Sequence, residues 1–355
     1  MCNEIRITNV AKFMEELSKL TSLESLTATR FFRGHSDQNY KLIPSVYREE
    51  DLIKNEDKII KEAFTYCAND FLPHETLFEK LAKLQHYDYA TRLLDVSANA
   101  LVGLYFAVRD FKSTESSKAV DNSKDGEVIV LDIPNKSIKY DDSDTVTILS
   151  SLSLRNGDLN LEEIIKNIRE QAELDAGVAV IDTFLKNKDM YISNEFPVDY
   201  IPELSAINEK PNDLLRKLYD AKLSESFKFH FNKSDEIGKL LHDIRKDKPY
   251  FLPIINADDF NQVLCVKAKP NSPRISRQHG AFLLFGINGN KATMATVPTE
   301  WINKPNGNRL IIDKDSKAKI LQELAILGIS SQTLFPELDK QAKPIMEKYR
   351  TPKSE

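Results

Sequence analysis

Residues 126–133, GEVIVLDI, decide how the rest of this chain is read. Val128, Ile129, Val130 and Ile133 are β-branched, so the run predicts a compact buried strand. The sequence before it is helical in pattern. Leu52, Ile59, Ile60, Phe64, Cys67 and Phe71 recur at helical spacing between Asp51 and Phe71, and Leu77, Phe78, Leu81 and Leu84 continue a second amphipathic helix. Residues 98–111 predict a third helix, central to the core, with Leu101, Val102, Tyr105, Phe106 and Ala107 as a nearly all-apolar face. The polar stretch 112–125, KSTESSKAVDNSKD, predicts a loop between that helix and the strand.

Beyond the strand the pattern changes twice. Residues 160–175 and 213–246 carry helical stripes, Ile164, Ile165 and Ile168 in the first and Ile237, Leu240, Leu241 and Ile244 in the second. Strands are predicted at 262–268, 280–286, 291–297 and 309–313, and a last helix at about 315–327 that stops at Gly328. The expected class is α+β: N-terminal helices on a mainly antiparallel sheet, with a helical insertion at about 140–250. Regular strand–helix alternation, the mark of a doubly wound sheet, does not occur.

Composition narrows the function classes. Hydrophobic residues make up 41% and charged residues 29%, a globular balance. No stretch approaches the roughly 20 apolar residues that cross a bilayer, and the opening Met1-Cys2-Asn3-Glu4 does not resemble a secretory signal. Three scattered cysteines suggest neither a disulfide framework nor a metal site, so a reducing, cytoplasmic setting is expected. A net charge of −5 argues against a broad basic face for duplex DNA, although not against a local basic groove. HxxxH, CxxC, Walker A and GxGxxG patterns are absent, so no metal is expected.

Polar residues concentrate in three segments. The first is Phe31-Phe32-Arg33-Gly34, followed by His35, Ser36, Tyr40, Leu42, Pro44, Ser45 and Arg48. An arginine after two aromatic residues suits a strand end, placed either to grip a phosphate or carboxylate or to pair with a core carboxylate such as Asp95. The second is Gln85-His86-Tyr87, then Thr91-Arg92-Leu93-Leu94-Asp95 and Asn99-Ala100-Leu101. Helix capping explains Ser97 or Asn99 but not the crowding of His86, Thr91, Arg92 and Asp95. The third is Pro273-Arg274-Ile275 with Arg277-Gln278-His279-Gly280, either a cationic strand edge or a solvated rim.

On these segments, with Leu334-Phe335-Pro336-Glu337-Leu338-Asp339, the chain resembles the FRG-domain proteins of bacteria. The resemblance divides it into an N-terminal extension (1–24), an FRG domain (25–135), a mainly helical insertion (136–255), strands completing the core plus a C-terminal helix (256–340), and a tail (341–355). Two departures stand out. Tyr87-Asp88-Tyr89 replaces the family's usual Tyr-Gly and a small apolar residue, and Val96-Ser97 replaces a more usual Trp-Thr. The first is expected to stiffen a turn that glycine relaxes.

A more distant likeness links Phe32-Arg33-Gly34 and the Thr91–Ser97 stretch to toxin-type ADP-ribosyltransferases, whose Gln/Glu-x-Glu element has no clear counterpart here. That likeness implies NAD as substrate. Arg33, with Gly34 and Arg92 beside it, would bind the NAD pyrophosphate. His86 or Thr91 would bond a ribose hydroxyl, Tyr105 or Tyr87 would stack on nicotinamide, and Asp95 or Glu300 would stabilise the cationic transition state. Gln278 and His279 would complete the cofactor site. Arg33, His86, Thr91 and Asp95 are thus the expected catalytic set. The acceptor would be a nucleic acid or protein, in a toxin or antiphage-defence setting that could supply an antitoxin or other defence-system partner. The competing expectation is a non-catalytic module for nucleotides, nucleic acid or protein, favoured by the missing glutamate and by Arg33, Arg48, Arg92, Arg274 and Arg277. A hydrolase or nuclease using Asp95 with His86 ranks last, for want of paired carboxylates with a lysine.

Overall fold

A computed structural model describes residues 4–20, 27–109, 124–186, 211–269 and 272–349. Its strands are β1 (Glu4–Ile7), β2 (Ala28–His35), β3 (Leu93–Ser97), β4 (Gly126–Pro134), β5 (Ile138–Tyr140), β6 (Val263–Lys267), β7 (Gly280–Phe285), β8 (Ile287–Asn288), β9 (Asn290–Met294), β10 (Ile302–Asn303) and β11 (Arg309–Ile312). Nine of them form one sheet in the order β1-β11-β4-β2-β3-β7-β6-β5, with β10 also on β4. Only β1/β11 and β5/β6 pair in parallel. The class is α+β with a mostly antiparallel sheet, as the sequence pattern predicts.

The helices are α1 (Val10–Ser18), α2 (Glu50–Lys54), α3 (Glu56–Tyr66), α4 (Leu77–His86), α5 (Ala100–Val108), α6 (Asp144–Ser151), α7 (Leu161–Lys186), α8 (Pro211–Lys233), α9 (Asp235–Asp247), α10 (Pro273–Gln278), α11 (Lys317–Ile326), α12 (Ser331–Leu334) and α13 (Leu338–Lys348). One half of the helical face buries Phe32, Val128, Val130, Leu310 and Ile312 under α1, α5 and α11. The other half buries Leu93, Leu264, Val266, Phe282 and Leu284 under α4, α6 and α9. Among the described residues, the opposite face, with Phe31, Leu94, Val96, Leu131, Cys265 and Leu283, is covered by Ala295, Val297 and Trp301 rather than by an α-helix. Burial on both sides explains the unbroken apolar run of β4.

Several expectations need correction. The helix expected over 51–71 breaks at Asn55, whose side-chain amide caps back onto the Asp51 carbonyl at 2.9 Å. The helix expected to end at 175 continues to Lys186 because it pairs along its length with α8, and the buried Ala172 and Ala176 let the two approach closely. Residues 213–246 divide into two helices at Ser234. The strand expected at 291–297 shrinks to β9, which pairs with β8 outside the main sheet, while Ala295 and Val297 cover the helix-free face. Within the mainly helical segment 136–255, β5 joins the sheet, and α6 and α9 share one core with α4 and Phe282. Residues 4–7, expected within an extension, form an edge strand on β11. Most of the loop expected at 112–125 lies outside the described residues. Gly328 closes α11 with φ +81°, the left-handed cap that the sequence indicates.

Candidate functional site

The sheet is nearly divided at its centre. β2 pairs with β4 over its full length, yet it meets β3 at a single position, Phe32 opposite Ser97. Arg33 lies within β2 rather than at its end, and its guanidinium reaches into this split. Nη1 donates to the backbone carbonyl of Asp95 at 2.5 Å, and Nε donates to Nε2 of His35 at 3.1 Å. Nη2 has no hydrogen-bond partner among the described residues. Burial lowers the Arg33 pKa to about 10, Asp95 opposing and Arg48 assisting, which leaves the group fully charged at neutral pH.

His35 is buried, and it fixes Arg33 only as a neutral ring. Its Nε2 accepts, so the ring proton sits on Nδ1, which is buried without a partner. Burial, then Arg33 and Arg48, pushes the His35 pKa down to about 3.

Asp95 points from β3 toward solvent on the helical face of the sheet. Its Oδ2 accepts from the Gln85 amide nitrogen at 2.7 Å, and Oδ1 has no hydrogen-bond partner among the described residues. Gln85 lies in the last turn of α4, and its amide oxygen accepts from the hydroxyl of Thr91. Thr91 is fully buried: its backbone N–H donates to Ser45 Oγ at 3.1 Å and its carbonyl accepts from the Val46 N–H at 3.3 Å. It therefore sits one residue behind the surface and touches Asp95 only through Gln85.

His86, next along α4, is half-buried with its ring against Phe282. Burial, followed by the charge of Arg274, lowers its pKa, while Asp95 and Glu337 oppose the shift. Arg274 donates to the His86 carbonyl at 3.4 Å and lies 4.7 Å from the Phe335 ring centre; Arg109 lies 4.4 Å from the same ring. The structure thus brings Arg33, His86 and Asp95 to one end of the split, and adds His35, Gln85 and Arg274.

Other expected residues go elsewhere. Arg92 is wholly inside, with Nε on Glu56 Oε1 at 3.0 Å, Nη2 on Glu56 Oε2 and Nη1 on the Phe285 carbonyl at 3.1 Å. Strand alternation sends it and Asp95 in different directions. Gly34 serves packing: a Cβ there would lie 2.0 Å from the Gly103 carbonyl oxygen, so its absence lets α5 lie on β2. Tyr105 is buried against Phe106 and Phe335. Tyr87 caps α4 and is exposed. Gln278 joins segments, its amide donating to the Leu334 carbonyl at 3.1 Å and its carbonyl accepting from Ser97 Oγ at 2.6 Å. His279 ends α10 in the left-handed conformation and accepts from the Ala98 N–H at 2.9 Å. Glu300 is on the turn before β10. Asn99, as one of two candidates, caps α5 by accepting from the Leu101 N–H at 2.9 Å.

Asp88 occupies the place of the usual glycine and adopts φ +65°, the left-handed value that the turn demands. Among the described residues no three His, Cys, Asp or Glu side chains converge as metal ligands, and no helix is long and apolar enough to cross a membrane. A polar cleft of about 420 Å³ between Asp37, Lys124 and Asp313 lies apart from the split. Three of its four carboxylates are engaged: Asp37 holds Lys124, and both Asp125 and Asp313 hold Arg6.

A mixed sheet, split at its centre and bearing there the guanidinia of Arg33 and Arg274, the Asp95 carboxylate and the imidazoles of His35 and His86, defines a domain with a candidate site for an anionic or polar ligand. The chain carries an FRG domain: that family's model matches residues 28–116. The match contains Arg33, His35, Gln85, His86 and Asp95. The third sequence segment and the Leu334–Asp339 stretch fall outside it and reach the same place through Arg274, Gln278 and Phe335. No curated protein and no solved structure matches the chain.

Proposed function

We propose that this chain is an ADP-ribosyltransferase-like enzyme that consumes NAD, with Arg33 and Asp95 as its two working groups. The observation that carries the proposal is their meeting at the split: the Arg33 guanidinium, with Nη2 free, donates to the backbone carbonyl of Asp95, whose carboxylate keeps Oδ1 free, and each side chain is held by a neighbour of its own. Arg33 would hold the NAD diphosphate through charge-assisted hydrogen bonds. The bond between the ribose C1′ and the nicotinamide nitrogen breaks, and its electron pair leaves with nicotinamide. Positive charge then develops on the ribose, where the Asp95 carboxylate stabilises it. His86 stands beside Asp95 to bond a ribose hydroxyl. A nucleophile on a nucleic acid or protein attacks C1′ and loses its proton.

Nicotinamide release by purified protein tests the proposal, with Arg33→Ala and Asp95→Asn compared at equal folding by circular dichroism. Turnover is expected in the wild type, with losses on the order of 100-fold or more in each variant. No release, even with lysate added as a source of acceptors, overturns it. A second reading, a nucleotide- or nucleic-acid-binding module, is favoured by the burial of Thr91, Arg92 and Tyr105, which removes three of the expected NAD contacts. Saturable, salt-sensitive binding without turnover would support it.

A further inference from the structure

Among the described residues, Gln85 is the one side chain hydrogen-bonded to both Thr91 and Asp95, and with a carboxylate at Asp95 the protons in this chain of contacts have a single consistent arrangement. Thr91 Oγ1 accepts from the Leu93 N–H at 3.3 Å, so the Thr91 hydroxyl hydrogen is free to point at Gln85. It donates to Gln85 Oε1, which turns the Gln85 NH2 toward Asp95. The flipped amide would place Gln85 oxygen against a carboxylate oxygen, acceptor against acceptor. Thr91 is held rigidly, with both its backbone groups bonded to the Ser45–Val46 turn.

We propose, building on the transferase reading, that Gln85 is a positioning residue. Through it the buried Thr91 fixes the orientation of the Asp95 carboxylate, with Oδ1 as the oxygen presented to the ribose cation. Gln85 does not touch substrate, and Thr91 acts one step further back. The arrangement is preorganised: the carboxylate is oriented before any ligand enters, so its alignment costs nothing when charge develops.

The test has two arms. In the kinetic arm, Gln85→Leu and Thr91→Val lower kcat for nicotinamide release roughly 10- to 100-fold, the worth of a hydrogen bond to a charged group, and leave KM within about 3-fold. Thr91→Ser, which keeps the hydroxyl, restores most of kcat. The second arm needs no turnover: the Gln85 side-chain NH2 resonances, assigned by their loss in Gln85→Leu, are followed by hydrogen exchange in each protein. Exchange is expected to be slow in wild type and Thr91→Ser and at least about 10-fold faster in Thr91→Val and Asp95→Ala, which each remove one of the two contacts of the amide. Exchange at the rate of a free side-chain amide in wild type overturns the positioning role, whatever the kinetics. A protected Gln85 amide together with an inert wild type leaves Gln85 as the residue that holds Asp95 and removes only the transferase reading.

Discussion

Two arginine clusters lie close together in this molecule, and they use the same chemistry in opposite ways. At Arg92 the guanidinium is inside the core, where Glu56 takes two of its nitrogens and the Phe285 carbonyl a third; Lys291 adds a second cation 3.2 Å from Glu56. Each of the three Arg92 nitrogens has a partner, and the side chain is fully buried. At Arg33 the guanidinium lies in a gap between strands, held at Nε and Nη1 and open at Nη2. A saturated cation in the interior ties elements together, whereas an unsaturated one at a break in the sheet is available to something else. Pairing state, more than residue type, separates the core arginine from the arginine of the candidate site.

The largest expected effect tests the interior cluster. Arg92→Ala leaves the Glu56 carboxylate buried with Lys291 as its remaining partner and should cost about 3–5 kcal/mol of unfolding free energy, read by urea denaturation. Arg33→Ala, at a half-open position, should cost no more than about 1 kcal/mol on the same scale. Equal losses in the two variants would break the comparison and make Arg33 a strand clip like any other.

The next effect is one of pH. His35 titrates near 3 in the folded chain, far below the ordinary histidine value of 6.5, because the ring is buried beside Arg33. Between those values the unfolded chain binds a proton that the folded chain refuses, so stability rises with pH across this window. The contribution of His35 is complete above about pH 6.5 and drains away as pH falls toward 3. Urea midpoints at pH 7.5 and 4.5 should show a smaller acid loss in His35→Gln than in wild type. The same acid loss in both would mean that the ring is not kept neutral on behalf of Arg33.

How much of this was legible in the sequence follows the same division. The strand at 126–133 and the α+β class were readable because β-branched runs and helical stripes report burial directly. The crowding of His86, Thr91, Arg92 and Asp95 was readable as well, but which of them share a site was not. Arg92 and Asp95 are three apart on a segment whose side chains alternate, so one enters the core while the other faces out. β3 itself has a buried pattern broken only at Asp95 and is too short to declare a period. Gln85 and His35 stood in the quoted motifs but went unassigned, since a residue that only orients another has no chemical signature of its own. The edge strand β1 buries Ile7 alone, so its pattern could not announce a strand.

The smallest expected effect concerns the turn between α4 and β3, just behind Asp95. Asp88 holds φ +65° there without the freedom of glycine. Asp88→Gly should raise stability by up to about 1 kcal/mol, seen as a modest increase in Tm. A decrease would assign the Asp88 carboxylate a favourable role beside Arg109, on which its charge acts.

The parallel pairing of β1 with β11 has a consequence in time. The Arg309–Glu4 contact spans 305 residues, so the first strand of the sheet emerges from the ribosome long before the strand that it lies against. At synthesis rates of about 5–20 residues per second, that wait is on the order of tens of seconds, during which β1 has no native neighbour. The edge of the sheet can therefore be finished only after the chain has been made as far as β11. Nascent chains arrested before residue 309 should leave the β1 amides unprotected from hydrogen exchange.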